Sequence, residues 1–410
     1  MGREVGKDRR FLFDSQTFCE RNVIQQSKAK QRMVKRSSTG RSRRRSKRVS
    51  TSSKKWFTWA ERMKNFDNVA IALEKIGVNG ASVCLDHDML GDAIQLGQRI
   101  GTESAYGEAF QATLLSKKYR LALKKVPLER SDQGSYFTER QLSSGRSAWA
   151  EIVAYTLCNI LALAKVCNNL PLMYKYTVCG RCHFVNKNIK KRDGGPCMLV
   201  VNEYADGDLA HYVKKKLNVW TPALVENCVF QTVVGLLALE KYYNMTHNDL
   251  HYGNILVHEV QRGGFWHYKI NGIDYYVPNL GYVFILWDLG MADIPGKMRG
   301  RPKANETDIG RICDVIRGPL RQVTQGKTTI LKDITRLEGQ ISLNEILLTF
   351  FERYRKVQPA SKIIDTFNMD IKLSTLKGAH PKEMLKFLVT PKHFSRYASG
   401  NSHSSRFSSL

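Results

Sequence analysis

Nothing in this 410-residue chain reads as a membrane span. Its most apolar stretch, residues 148–164, contains Glu151 and Asn159. It also falls short of the ~20 apolar residues a span needs, so it is expected to be a buried helix. The first residues are charged and carry no apolar signal core, which argues against secretion. MGREVG opens like a myristoylation signal, but Gly6 stands where Ser or Thr is wanted. Acidic residues are scarce: 37 Asp and Glu against 64 Lys and Arg leave a net charge of +27. A disulfide framework is not indicated either, because nine scattered cysteines, an odd number, suit a reducing compartment better. Cys179-Gly-Arg-Cys182-His183, with Cys197 further on, has half of a zinc-ligand pattern. No second pair at such spacing follows, so metal is not the expectation there.

The positive charge is concentrated at one end. Residues 1–55 hold 18 Lys and Arg and only four acids. A segment so basic favours polyanionic partners such as nucleic acid or anionic lipid. It is also too poor in apolar residues to offset its ordering entropy, so it is expected to be a disordered Ser/Arg-rich arm. From Trp56 the composition changes, and WFTWAERMKNFDNVAIALEKIG carries apolar residues at helical spacing, giving a helical extension over 56–92.

Residues 96–128 alternate like two hairpin-connected strands and a third. A helix follows through Trp149, Ile152, Val153, Leu157 and Leu161, then strands near 172–178 and 198–204. Beyond Asp206 the pattern becomes helical, with Thr221-Pro222 as a helix start, and helices are expected through most of the remainder. The expected fold is therefore α+β and bilobal: a small β-rich N-lobe over 93–205, a larger helical C-lobe over 206–390, and a frayed Ser-rich tail over 391–410. No internal repeat is present, and nothing in the sequence sets an oligomeric state.

The chemistry is densest at His247-Asn248-Asp249-Leu250-His251-Tyr252-Gly253-Asn254, followed by apolar Ile255-Leu256-Val257. A carboxylate there can accept a hydroxyl proton, and an amide oxygen five residues on can ligate a hard cation. This stretch resembles the H-x-D-x-x-x-x-N catalytic loop of eukaryotic-type kinases. The resemblance implies ATP and Mg²⁺ as cofactors, Asp249 as base and Asn254 as metal ligand. Trp287-Asp288-Leu289-Gly290 is similar to the D-F-G position, which makes Asp288 the second metal ligand.

Leu121-Ala122-Leu123-Lys124 looks like the V-A-I-K strand, with Ala122 over the adenine and Lys124 aimed at the α- and β-phosphates. A buried carboxylate requires a cation. Glu151, in an otherwise apolar helix, is the expected partner of Lys124, with Glu139 as fallback. The phosphate-covering loop is the weakest match: residues 99–110, with Ile100, Gly101, Ser104 and Gly107, lack the middle glycine and run one residue long. The segment Asn202-Glu203-Tyr204-Ala205-Asp206-Gly207-Asp208-Leu209 is similar to the hinge between kinase lobes. It implies adenine bonds to the Glu203 carbonyl and Ala205 amide and ribose contact by Asp208; Leu256, after the catalytic loop, is also expected among the cofactor-binding residues.

Departures from that family narrow the reading. His251 stands where protein kinases carry a lysine, as in haspin-like, aminoglycoside-phosphotransferase and choline-kinase loops. An insert between Val257 and Tyr282 looks like an extra hairpin. With the H-N-D-L-H loop it resembles kinase-like proteins of large nucleocytoplasmic DNA viruses. No A-P-E motif follows Gly290, and Asp308 is expected to steady the catalytic loop through its backbone. These features imply a viral Ser/Thr protein kinase acting on protein hydroxyls. It would be intracellular, in the host cytoplasm or nucleus or packaged in the virion, with nucleic acid as partner of the 1–55 arm. The alternatives are a small-molecule phosphotransferase and a catalytically weak, nucleic-acid-binding pseudokinase.

Overall fold

The computed structural model describes residues 57–78, 83–86, 93–101, 106–114, 118–129, 148–216, 219–293, 308–312, 330–337, 341–356 and 361–376. The 1–55 arm, the 391–410 tail, Ser104 and Glu139 lie outside the described residues. In chain order the elements are α1 (Trp59–Lys75), β1 (Val83–Asp86), β2 (Ile94–Ile100), β3 (Glu108–Leu114), β4 (Tyr119–Pro127) and α2 (Ala148–Leu163). Next come β5 (Met173–Arg181), β6 (Cys197–Glu203), β7 (Gly207–Asp208), α3 (Leu209–Lys215) and α4 (Pro222–Tyr243). The chain continues through β8 (Ile255–Glu259), β9 (Phe265–Ile270), β10 (Ile273–Pro278), β11 (Tyr282–Leu286), α5 (Ile330–Arg336), α6 (Leu343–Phe350), α7 (Glu352–Lys356) and β12 (Ile363–Asn368).

Six strands form one sheet in the order β1-β5-β6-β4-β3-β2. Strand periodicity divides β4 between two faces. Leu121 and Leu123 join Val69 and Leu73 of α1 in one apolar cluster, while Val126 joins Ile152, Val153 and Leu157 of α2 in another. Covered on both sides, β4 is buried at every position from Leu121 to Pro127. The α2 helix is apolar nearly all round because the sheet takes one side of it and the C-terminal elements take the other.

The C-terminal half is organised on α4. Thr221 caps its start by accepting from Leu224 N at 3.2 Å, Pro222 fits the first turn, and Asn244 ends it in the left-handed region at φ 48°. Among the described residues α4 is the one helix long and apolar enough to cross a membrane by composition, a candidate the expectation about residues 148–164 overlooked. Most of it is packed inside the protein, as in a core helix. Gly235 lets α4 approach β11, since a Cβ there would meet Leu286 at 3.0 Å and the Asn169 carbonyl at 3.2 Å.

The insert forms a hairpin, β9–β10, turned by Asn271-Gly272 with φ of 51° and 76°, the two-residue turn that matches strand twist. Two strands escaped the sequence reading. The 56–92 extension is not wholly helical, because β1 pairs in parallel with β5. The region expected to be helical beyond the insert contains β12, which pairs in parallel with β9. Both are short segments added to sheet edges, where tertiary pairing and not local pattern decides.

Buried amides tie these parts together. Asn169 is fully buried and donates to Gln231 Oε1 at 2.9 Å and to the Phe284 carbonyl at 2.8 Å, while accepting from Tyr268 Oη at 2.8 Å. Gln231 in turn donates to Asn227 at 2.6 Å, and Asn227 donates to the Pro278 carbonyl at 2.9 Å. Leucine at position 169 would strand several of these groups without partners. Asn169→Leu is expected to cost about 2–4 kcal/mol in chemical denaturation. A loss below about 1 kcal/mol would show that the network is dispensable.

Candidate active site

The site is assembled where β4, α2, the 247–254 loop and the end of β11 converge. Alternation along β4 sends neighbouring lysines to opposite faces. Lys125 pairs with Glu108 at 2.7 Å on one face. Lys124, 6% exposed, places Nζ 2.7 Å from both Glu151 Oε1 and Asp288 Oδ1 on the other. Burial alone would push the Lys124 ammonium toward neutrality, but Asp288 and Glu151 together outweigh it and hold the lysine protonated. Burial pushes the Glu151 carboxyl up, with Lys124 opposing. For Asp288 burial also works upward, yet Lys124 prevails and keeps it below the ordinary range. One cation thus faces two carboxyl groups in this buried cluster.

A two-stranded ladder fixes the 247–254 loop against Asp288. β8 and β11 pair from Ile255↔Leu286 to Glu259↔Tyr282, and Trp287 N donates to the Asn254 carbonyl at 2.9 Å. The residues just outside that ladder are Asn254 on one strand and Trp287-Asp288 on the other. Asp288 and Asn248 are both held at positive φ, 57° and 60°, strained for side chains that carry a Cβ. Asn254 Nδ2 donates to the Asp249 carbonyl at 2.7 Å and lies 3.4 Å from its Oδ2. With its nitrogen so engaged, Asn254 presents its amide oxygen as the remaining donor atom for a cation. His247 is fully buried and donates from Nε2 to the Trp287 carbonyl at 2.8 Å, so its Nδ1 accepts from Asp249 N at 3.3 Å.

Asp308, at the start of the 308–312 helix, accepts from His247 N at 2.8 Å and Asn248 N at 3.1 Å. It is almost fully buried, and burial pushes its carboxyl up against the pull of His247. An asparagine there would turn one acceptor into an amino group facing a backbone N–H. Asp308→Asn is expected to lower turnover about 10–100-fold with a smaller change in nucleotide affinity, because loop geometry and not ligand contact is lost. Steady-state kinetics over a nucleotide titration check it; an unchanged turnover number would remove Asp308 from the positioning role.

Lys124, Glu151, Asp249 and Asp288 line one cleft with Tyr106, Val126, Gly290 and Met291. The base-side candidates stand farther along the sheet and hinge. Ala122 lies opposite Asn202 in the β4–β6 ladder, and Glu203 ends β6. Ala205 follows in the connection, and Asp208 lies opposite Leu256 in the β7–β8 pair. Asp208 also caps α3 by accepting from His211 N at 2.7 Å, which commits one of its oxygens. Ile100 ends β2, and Gly101 follows it at φ 77°. Gly107 precedes β3 under a tight constraint: a Cβ there would meet the Lys125 carbonyl at 2.8 Å and Lys124 Cε at 3.6 Å. His251 Nδ1 accepts from Gly253 N at 3.0 Å, and its Nε2 stands 4.0 Å from Asp249 Oδ2.

One residue of this region had no signal in the sequence. Arg62 of α1 donates from Nε and Nη2 to both oxygens of Glu203, with distances of 2.7–3.1 Å. It also donates to the carbonyls of Asn168 at 3.0 Å and Leu170 at 2.7 Å. The N-terminal extension is thus bolted to the hinge. An arginine on a mixed helix face is ordinarily a solvated residue, and only the tertiary fold distinguishes this one.

The donor set suits a nucleotide-bound magnesium ion. Asp288 and Asn254 offer hard oxygen atoms, the ligand chemistry Mg²⁺ prefers. A model of the haspin-like kinase domain family matches residues 16–289, about two thirds of the chain, and takes in Lys124, Glu151, Asp249, Asn254 and Asp288. Three relatives come from large DNA viruses. "Uncharacterized protein 011L" of Invertebrate iridescent virus 3 is 27% identical over 139 residues, 33% of this chain and 18% of that protein. "Probable serine/threonine-protein kinase 380R" of Invertebrate iridescent virus 6 is 27% identical over 134 residues, 31% and 24% of the two chains. Protein 019R of Frog virus 3 (isolate Goorha) is 29% identical over 145 residues, 34% and 16% of the two. The chain therefore spans less than a quarter of the length of each of these relatives.

Proposed function

Because the chain belongs to the haspin-like kinase domain family, we propose that it is a Ser/Thr protein kinase that transfers the terminal phosphoryl group of Mg²⁺-ATP to protein hydroxyls. The observation that carries this reading is the buried Lys124 ammonium, 2.7 Å from both Glu151 and Asp288, in one cleft with Asp249. Mg²⁺-ATP supplies the transferable group and charge neutralisation when bound. Lys124, preset by Glu151, is the cation for the nucleotide phosphates. Asp288 and the Asn254 amide oxygen hold the metal. Asp249, fixed at its carbonyl by Asn254, orients the acceptor hydroxyl and takes up its proton. Tyr106 and Gly107 cover the phosphate end of the cleft.

Transfer to a small-molecule hydroxyl is the second reading, favoured by His251. With Nδ1 accepting from Gly253, the neutral imidazole carries its proton on Nε2, toward Asp249. A single panel separates the two: the full chain with labelled ATP, offered casein, histone and amino sugars. Label on serine or threonine of protein is the expected result, and transfer confined to the sugars would overturn the protein-kinase reading. In the same proposal the basic 1–55 segment binds polyanions and is a target of autophosphorylation. Each added phosphate would remove about 1.5–2 units of its positive charge.

A further inference from the structure

The cleft holds a second cation that the phosphotransfer reading does not use. Among the described residues that line it, the positive side chains are Lys124 and Arg192. Lys124 is engaged by Glu151 and Asp288. Arg192 comes from the connection between β5 and β6, a stretch that carries none of the kinase-like motifs.

That connection is a firm mount for a side chain. Cys182 and Cys197 close it with a disulfide, their Cα atoms 6.0 Å apart, a bridge the cysteine count did not suggest. Cys182 N donates to the Gly195 carbonyl at 2.9 Å, and Gly194 N donates to the Cys182 carbonyl at 2.8 Å. Phe184 and Ile189 are buried within it. The Ile189 carbonyl accepts from Arg192 N at 2.9 Å, which winds residues 190–192 into a single tight turn. Leu128 N donates to the Pro196 carbonyl at 3.0 Å, so the connection lies beside the end of β4. There Arg192 pairs through Nη1 with Glu129 Oε1, and both residues line the cleft.

Exposure makes that pair exchangeable. The Arg192 and Glu129 side chains are 32% and 50% exposed, so water screens their attraction and another anion can replace Glu129 at little cost. The approach to Arg192 is basic: Arg181, Lys187, Lys190 and Lys191 are all exposed. The one acid of the stretch, Asp193, is turned back on the connection itself. It accepts from Phe184 N at 2.7 Å and stands 3.4 Å from His183 Nδ1. An anionic polypeptide following this surface is led to Arg192, and from there into the cleft of Asp249. A guanidinium offers paired N–H donors that fit a carboxylate or a phosphate, which a lysine does not.

We propose that Arg192 determines acceptor specificity: it exchanges Glu129 for an anionic group near the acceptor hydroxyl, so that the substrates are acidic or already phosphorylated protein segments. This rests on the protein-kinase reading above and names the substrate class for the same site. The nucleotide phosphates are left to Lys124 and to the metal held by Asp288 and Asn254. The basic 1–55 arm does not depend on this contact, because its tether sets its effective concentration.

Steady-state kinetics of the full chain with Mg²⁺-ATP test this on four serine peptides of equal length, the serine flanked by glutamate, phosphoserine, glutamine or lysine. The glutamate and phosphoserine peptides should exceed the glutamine peptide by about tenfold in kcat/KM, mainly through KM. Arg192→Gln should bring that ratio close to one, and Arg192→Glu should turn the preference toward the lysine peptide. Glu129→Gln removes the internal competitor and should lower KM for the two anionic peptides, which loss of a merely structural pair would not do. No anionic preference in the unaltered chain overturns the proposal, as does a preference that survives Arg192→Gln. An equal fall for all four peptides in Arg192→Gln, or a rise in the KM for ATP with the ratio unmoved, also overturns it. Inhibition by a DNA oligonucleotide that is equal for all peptides and lost in Arg192→Gln would give the surface to nucleic acid instead. Arg192 variants that fail to fold leave the preference of the unaltered chain and the Glu129→Gln effect to decide. Transfer to none of the peptides removes the protein-kinase reading and this proposal with it, whereas transfer without charge preference removes this proposal alone.

Discussion

Asp249→Asn is expected to lower the turnover number of phosphotransfer by about 10²–10⁴-fold, the usual contribution of a positioned acid–base group. The substitution is close to isosteric, and little structure depends on the carboxylate. Its oxygen lies only within 3.4 Å of Asn254 Nδ2 and 4.0 Å of His251 Nε2, whereas the firm bond from Asn254 goes to the Asp249 carbonyl. Nucleotide affinity and thermal stability should therefore stay near those of the unaltered protein while turnover collapses. Asp288→Asn should behave differently, because it removes a charge from the Lys124 cluster and a ligand from the metal. Nucleotide affinity should fall along with turnover. Equal activity of Asp249→Asn and the unaltered protein would dismiss Asp249 as the base.

The largest effect on stability is expected at Arg62. Its guanidinium and the Glu203 carboxylate are 3% and 12% exposed, and Arg62→Met leaves the largely buried carboxylate without its ion-pair partner. Breaking a buried pair in this way costs about 3–5 kcal/mol. For Glu203 burial works to raise the carboxyl, but Arg62 prevails and holds it below the ordinary value. The sign of the pH dependence follows. The stabilisation is complete above the ordinary glutamate pKa and fades as pH falls through the lower folded value, where the protonated carboxyl releases the guanidinium. Urea denaturation of Arg62→Met, of Glu203→Gln and of the double variant would measure the coupling. The double variant should lose less than the sum of the singles. A loss under about 1 kcal/mol in Arg62→Met would contradict the bolt between α1 and the hinge.

How much of this was legible in the sequence depended on whether the signal was local. The convergence of the 247–254 loop and Asp288 was, because each is a short motif whose spacing is set by a turn leaving or entering a buried strand. Glu151 was legible for an energetic reason: a carboxylate in an apolar helix requires a cation, and Lys124 is that cation. The α2 and α4 helices and the β9–β10 hairpin followed from apolar period, capping residues and Asn271-Gly272.

What was hidden depends on long-range pairing. β1 and β12 are short strands added to the edges of sheets formed elsewhere in the chain. The Arg62–Glu203 pair spans 141 residues, and the Asn169 network joins residues up to 115 apart.

Lys124, Asp249, Asn254 and Asp288 are proposed to form one phosphotransfer centre. The most direct measurement is incorporation of label from γ-labelled ATP, with Mg²⁺, by the full chain and by its Asp249→Asn and Asp288→Asn variants, on one protein substrate. Transfer by the unaltered chain and loss of it in both variants, each still folded by circular dichroism, is the expected result. Transfer undiminished in either variant, or absent from the unaltered chain, would contradict it.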